Sequence, residues 1–269
     1  MFRAQYESTG LFCQVLRKFK KYSIFLKDAF TKTKNKKREE IMGGRMNNSL
    51  NASSVLNQRF SMYMNQLAQR GCPRFIVSAF ENARKEVLRF VSSEVQIHPD
   101  NIPFLPVIGP VYRTIYDLMS MVRSVREVGF AGLDAAKISD FDHRGQAGLS
   151  FIFDVNIGDT LRALDPIAAQ EYLLRGCRAT FNVYDAMSLC THTNTLEHHY
   201  IWAPMSYYNL SDTNNENHRQ IPIIFLSNGI RPKLWYCTPA LYRQYDKEVQ
   251  TDKFGMPSYA KKLKIRVSP

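Results

Sequence analysis

The stretch densest in reactive side chains is Thr191-His192-Thr-Asn-Thr-Leu-Glu197-His198-His199, which puts three imidazoles and a carboxylate within nine residues. Metal ligation is the first chemistry such a cluster suggests. Its spacing argues otherwise: there is no H-E-x-x-H pattern, and the five residues between His192 and the His198-His199 pair do not set the rings on one helical face. No metal is expected, and a loop or helix end explains the cluster as well. For acid–base work, His192 has two candidate carboxylate partners. Asp154 ends the aliphatic run Leu149 to Val155 and is followed by Gly158 and Asp159, while Asp185 lies seven residues before His192. That set describes a hydrolase-like site in which His192 is the general base and Asp154 or Asp185 orients it. An aspartate at a strand end also caps turns, which is the structural alternative for Asp154.

Other catalytic patterns are missing. No G-x-S-x-G turn is present, and neither is the glycine-rich phosphate loop of G-x-G-x-x-G or G-x-x-x-x-G-K-[ST] type, so no nucleotide or other cofactor is expected. The five cysteines are Cys13, Cys72, Cys177, Cys190 and Cys237, odd in number and never in C-x-x-C spacing, which points to a reducing compartment. Cys177 and Cys190 sit among apolar neighbours and read as core residues. No apolar run approaches the eighteen residues of a membrane span, and Arg17, Lys18, Lys20 and Lys21 interrupt the apolar stretch near the start, unlike a secretory signal. A cytoplasmic location is the expectation.

Of the net charge of +12, residues 1–45 carry +8. A basic amphipathic helix is expected over residues 11–30, where Leu11, Val15, Phe19, Tyr22, Leu26 and Phe30 recur at helical spacing. Lys18, Lys20 and Lys21, with Lys34, Lys36, Lys37 and Arg38 in the following basic run, are candidate contacts to nucleic acid or another anionic surface. A solvated charge run is the alternative. The Gly- and Asn-rich stretch 43–54 reads as a linker, which divides the chain into an extension, 1–54, and one domain, 55–269.

Within the domain, helical spacing runs from Val55 to a stop at Gly71-Cys72-Pro73, then from Phe75 to Val91, and again from Tyr112 to Val128. Ile102 to Ile108 reads as a strand interrupted by Pro103 and Pro106, which either confine it to an edge or make it irregular. Strands are expected at Leu149 to Val155 and Ala179 to Val183, and helices at Pro166 to Leu174 and Tyr184 to Thr191. Tyr200 to Tyr207 fits either type. Residues 210–220 form a polar loop, Ile221 to Ser227 and Lys233 to Cys237 pair as a hairpin across Asn228-Gly229, and a helix over 241–249 leads into a basic tail. The fold class that follows is α/β of the α+β kind, a mixed sheet flanked by helices.

From about Arg59 to Tyr245 the order of short motifs resembles an uncharacterised bacterial family, domain of unknown function 5701. The resemblance rests on Arg70-Gly71-Cys-Pro, Asp154 with Gly158, Gly176-Cys177-Arg178 and Asp185-Ala-Met-Ser-Leu-Cys-Thr191-His192. It continues through Ser206 and Arg219-Gln-Ile-Pro222, and closes on Gly229-Ile-Arg-Pro232-Lys233-Leu234-Trp235. The chain departs from that pattern at Cys177, where the family has glycine, and at Asp185-Ala186, where it has Glu-Gly. The resemblance implies a shared compact fold and no established activity. It also gathers Arg178, Asp185, His192, Ser206, Arg219, Lys233 and Trp235 as candidates for one cleft that holds an anionic or polar ligand. The leading functional expectation is therefore binding of a ligand or protein partner, ahead of the hydrolase-like site and of nucleic-acid binding through residues 11–45.

Overall fold

A computed structural model of the chain describes residues 48–140, 148–162, 166–209, 219–237 and 254–265. The chain divides into two compact units, Met1–Val55 and Leu56–Pro269. Only 48–55 of the first are described, as the opening of a helix. The basic segment 11–45, with its candidate contacts, and the expected helix over 241–249 lie outside the described residues.

Helix α1 runs Asn48–Gln69, so the second half of the expected linker is helical. It ends as the sequence suggests: Gly71 takes φ +82, and the Cys72 amide reaches back to the Leu67 carbonyl at 3.0 Å. The next helical stretch is two helices, α2 (Arg74–Asn82) and α3 (Arg84–Glu94), separated at Ala83. Strand β1 (Ile102–Ile108) follows, and then α4 (Ile115–Met121), far shorter than its apolar spacing suggests. A Thr114–Asp117 capping box starts α4, and the chain turns extended at Val122, leaving Val125 89% exposed.

The remaining elements are β2 (Phe130–Ala131), β3 (Ile138–Asp140), β4 (Leu149–Val155), α5 (Pro166–Arg175), β5 (Ala179–Thr180), α6 (Val183–His192), β6 (Tyr200–Trp202) and β7 (Ser206–Asn209). They are followed by β8 (Arg219–Ser227), β9 (Arg231–Cys237), β10 (Phe254–Gly255), β11 (Ser258–Tyr259) and β12 (Lys261–Ile265). Asn228 and Gly229, both at positive φ, turn β8 into β9 as expected. The ambiguous stretch from Tyr200 is two strands. The basic tail is corrected most sharply, because it is not a tail: Lys261 to Ile265 form β12 and pair with β4.

The architecture is α+β. One sheet is antiparallel with order β1-β4-β12, so β1 is an edge strand, as its prolines require. The larger sheet is mixed, with order β10-β6-β8-β7-β3, and β9 lies on β8 and carries β2 in parallel. β11 pairs with β5. On one face of the first sheet Phe104, Phe151 and Phe153 meet Phe60, Phe80 and Phe90 of the opening helices, with ring centroids 4.9–6.0 Å apart. Helix α6 packs on β1 and β8. It is buried along nearly its whole length, including Asp185, Ser188, Thr191 and His192. Polar groups in such a helix need partners, and finding them sorts the candidate site residues. Among the described residues no helix is long and apolar enough to cross a membrane.

Candidate functional site

Alternation along the strands builds a wall of three polar and three apolar side chains on the second face of the small sheet. Val107, Ser150 and Lys264 stand in register across β1, β4 and β12, and so do Leu105, Ile152 and Lys262, which puts both rows on one face. Between this wall, the end of β3, β5 and the start of α6 lies a cavity of about 420 Å³. Lys262, Lys264, Ser150, Thr180, Asp140 and Asp185 contribute to its lining.

Several of these groups are already engaged. Asn182 caps α6: its side chain accepts from the Asp185 amide at 2.9 Å, and the Asp185 carboxylate accepts from the Asn182 amide at 3.3 Å. The other Asp185 oxygen takes the Lys262 ammonium at 2.9 Å. Asp140 accepts from the Ser206 hydroxyl, which itself accepts from the Val183 amide at 2.9 Å. Asp185 thus lines the cavity, and the fully buried Ser206 stands behind it, holding the lining Asp140. Burial, with help from Asp140, pushes the Tyr184 phenol up to about 12, so it stays protonated at neutral pH. Three groups are left open. Among the described residues neither the buried Ser150 and Thr180 hydroxyls nor the exposed Lys264 ammonium has a hydrogen-bond partner.

The hydrolase-like set is not assembled, which corrects that expectation. His192 sits seven residues along α6 from Asp185, about 10 Å by helical rise. Its Nδ1 lies 2.9 Å from the Gln66 side-chain oxygen, and its ring packs on Tyr63 with centroids 4.7 Å apart. Burial, followed by the charge of Arg70, depresses its pKa to about 3, so the imidazole is neutral. The linkage has a definite sign. A histidine whose folded pKa lies below its unfolded value stabilises the fold fully above about pH 6.5 and loses that contribution as pH falls toward 3. His192→Gln should flatten this slope in denaturation midpoints measured from pH 7 to 4. An unchanged slope would mean that the ring titrates normally in the fold.

Asp154 closes a different knot. Its carboxylate accepts from the His98 amide and from Asn101 Nδ2, each at 2.8 Å, and from Arg178 Nη1 at 2.5 Å. Arg178 also donates to the Asp154 carbonyl, and through Nε to Ser258 Oγ at 2.9 Å. Burial works to raise the Asp154 pKa, but the bonds from Arg178, His98 and Asn101 outweigh it and leave the pKa lowered. Arg178, expected to hold a ligand, is here a clamp between β4 and β11.

Lys233 and Trp235 are not at the cavity. The Lys233 ammonium lies 4.1 Å from the centre of the Trp235 ring, and both side chains press on Gly132, where a Cβ would come within 2.6 Å of the lysine chain. The backbone of Arg219 pairs with Asn209 at the start of β8; its side chain lies outside the described residues. The histidine cluster also separates. His199 Nε2 donates to the Ile157 carbonyl at 2.8 Å while Nδ1 faces Arg162 Nη2 at 2.9 Å, and His198 is exposed. Among the described residues no group of three or more His, Cys, Asp or Glu could hold a metal ion.

Sequence reasoning missed the lysines of β12. Lys262 and Lys264 alternate with Leu263 and Ile265, the two-residue period of a half-buried strand, and that signal was masked by the charge. The chain matches no protein-family model, no curated protein and no solved structure.

Proposed function

We propose that the protein is a binding module whose cavity between β4, β12 and α6 takes a small hydroxylated molecule bearing a single anionic group. One observation carries the reading: Lys264, Ser150 and Thr180 line the same cavity without partners among the described residues. A volume of about 420 Å³ falls within the range of small-molecule sites. Leaving the buried Thr180 hydroxyl without a hydrogen bond costs about 1–3 kcal/mol, which a ligand with hydroxyl groups would recover. Lys262 is paired with Asp185 and Lys261 donates to the Glu94 carbonyl, so the lysine left open among the described residues is Lys264, and it calls for one negative charge. The free Cys72, Cys177, Cys190 and Cys237 favour a reducing, cytoplasmic setting for this binding.

Gluconate is a suitable probe, being a polyhydroxylated monoanion. Ligand-observed NMR on the full chain should show saturable binding that Lys264→Glu abolishes and Thr180→Val weakens by about ten-fold. Sorbitol, the uncharged counterpart, should bind more weakly. Gluconate binding that is absent, or equal in wild type and Lys264→Glu, would remove this reading.

A further inference from the structure

At the far end of α6 lies a second open cleft of about 560 Å³. It takes Arg70 from just beyond α1, Arg123 from the loop after α4, and Gln66 from α1. Arg70 is anchored by one bond, Nη1 to the Met121 carbonyl at 2.8 Å. Arg123 is exposed and has no side-chain partner among the described residues. Neither guanidinium meets a carboxylate among the described residues. The one acid lining the cleft, Glu197, faces Asn194 at 3.4 Å. Two like charges on one cleft repel each other, which an anion between them would relieve. Burial, and then the Arg123 charge, lower the Arg70 pKa, which agrees with two guanidinium groups acting on each other.

His192 gains a role from this arrangement. Its neutral ring holds the Gln66 side-chain oxygen at 2.9 Å, which leaves the Gln66 amide NH₂ as a donor beside the two arginines. Leu196, Leu226 and the highly exposed Val125 add apolar surface. We propose that this cleft is a second ligand site, holding the phosphate group of a small phosphorylated molecule between Arg70 and Arg123. Two planar guanidinium forks match the two charges and several oxygens of a phosphate, whereas a single carboxylate would leave one fork unanswered.

The test uses the full chain, calorimetric titration with inorganic phosphate and with glycerol phosphate, and chloride to match ionic strength. Both phosphates should bind saturably at millimolar concentration or tighter. The glycerol ester should bind no more weakly than inorganic phosphate, because the cleft has room for the rest of the molecule. Arg123→Gln, an exposed change that leaves the fold intact, should weaken both by about ten-fold or more, the worth of a charge-assisted bond. The loss caused by Arg123→Gln should be the same in a Lys264→Glu background, which separates this site from the cavity on β12. The proposal is overturned if neither phosphate binds. It is also overturned if Arg123→Gln binds as wild type does, or if neutralising Lys34, Lys36, Lys37 and Arg38 abolishes binding while Arg123→Gln does not. Binding of inorganic phosphate alone would refute the phosphorylated ligand.

Discussion

Arg178→Ala is expected to lower the stability of the fold by about 3–5 kcal/mol, read as a shift in the midpoint of chemical denaturation. The change strands the Asp154 carboxylate, whose side chain is 5% exposed, with only the His98 amide and Asn101 for partners. It also removes the side-chain bond to Ser258, one of the links between β4 and β11. Acid provides a second readout. The folded pKa of Asp154 is lowered, so its stabilisation is complete above the unfolded value of about 3.9 and disappears as pH falls through the folded value. The gap between wild type and Arg178→Ala should therefore be full at neutral pH and narrow in acid, where protonation removes the stranded charge. In the double variant Asp154→Asn, Arg178→Met, the buried charges go together while the asparagine oxygen still accepts from His98. It should be more stable than Arg178→Ala. A single variant as stable as wild type would show that Arg178 is not a clamp, and would return it to the pool of ligand contacts.

Phe151→Ala should cost a similar amount, about 3–5 kcal/mol, by a different mechanism. Phe151 is fully buried on the central strand β4 and touches the rings of Phe60, Phe80 and Phe104 at centroid distances of 5.7, 5.2 and 5.9 Å. Those partners come from α1, α2 and β1, so removing the ring opens a cavity where four elements meet. Val125→Ala is the matched control. With 89% of Val125 exposed, its loss should stay within about 0.5 kcal/mol. The cost of Phe151→Ala should not depend on pH, which distinguishes it from that of Arg178→Ala. A loss below about 1 kcal/mol would mean that the face between the small sheet and the opening helices is loosely packed.

Local pattern was enough to place many elements. Gly71, at φ +82, stops α1; Pro103 and Pro106 keep β1 on an edge; Asn228-Gly229 turns β8 into β9; and the aliphatic run at 149–155 becomes the centre of a sheet. Each depends on backbone constraints or side-chain periods that act over a few residues, and these are visible in one dimension. Where helical spacing alone was the guide, length was misjudged. The stretch expected as one helix after Pro73 breaks at Ala83, and the stretch from Tyr112 keeps only Ile115–Met121 in helix. Val122, Val125 and Val128 keep helical spacing, yet Val125 and Val128 are exposed, so apolar steps alone do not fix where a helix stops.

The chemistry was the least legible part. In the sequence His192, Asp154 and Asp185 read as a base with its orienting acids; all three are buried, but burial alone does not say whether such a group is reactive or satisfied. Tertiary structure decided that by supplying Gln66 to His192, Arg178 to Asp154, and Lys262 to Asp185. Residue types and spacing along the chain determined the α+β class and most turns, because those follow from local sterics and hydrophobic period. Which polar groups remain open, namely Lys264, Ser150 and Thr180 in one cavity and the Arg70–Arg123 pair in another, was decided only by folding. Hydrogen bonds between residues distant in the chain consume most of the candidates, and no spacing rule records which ones are spared.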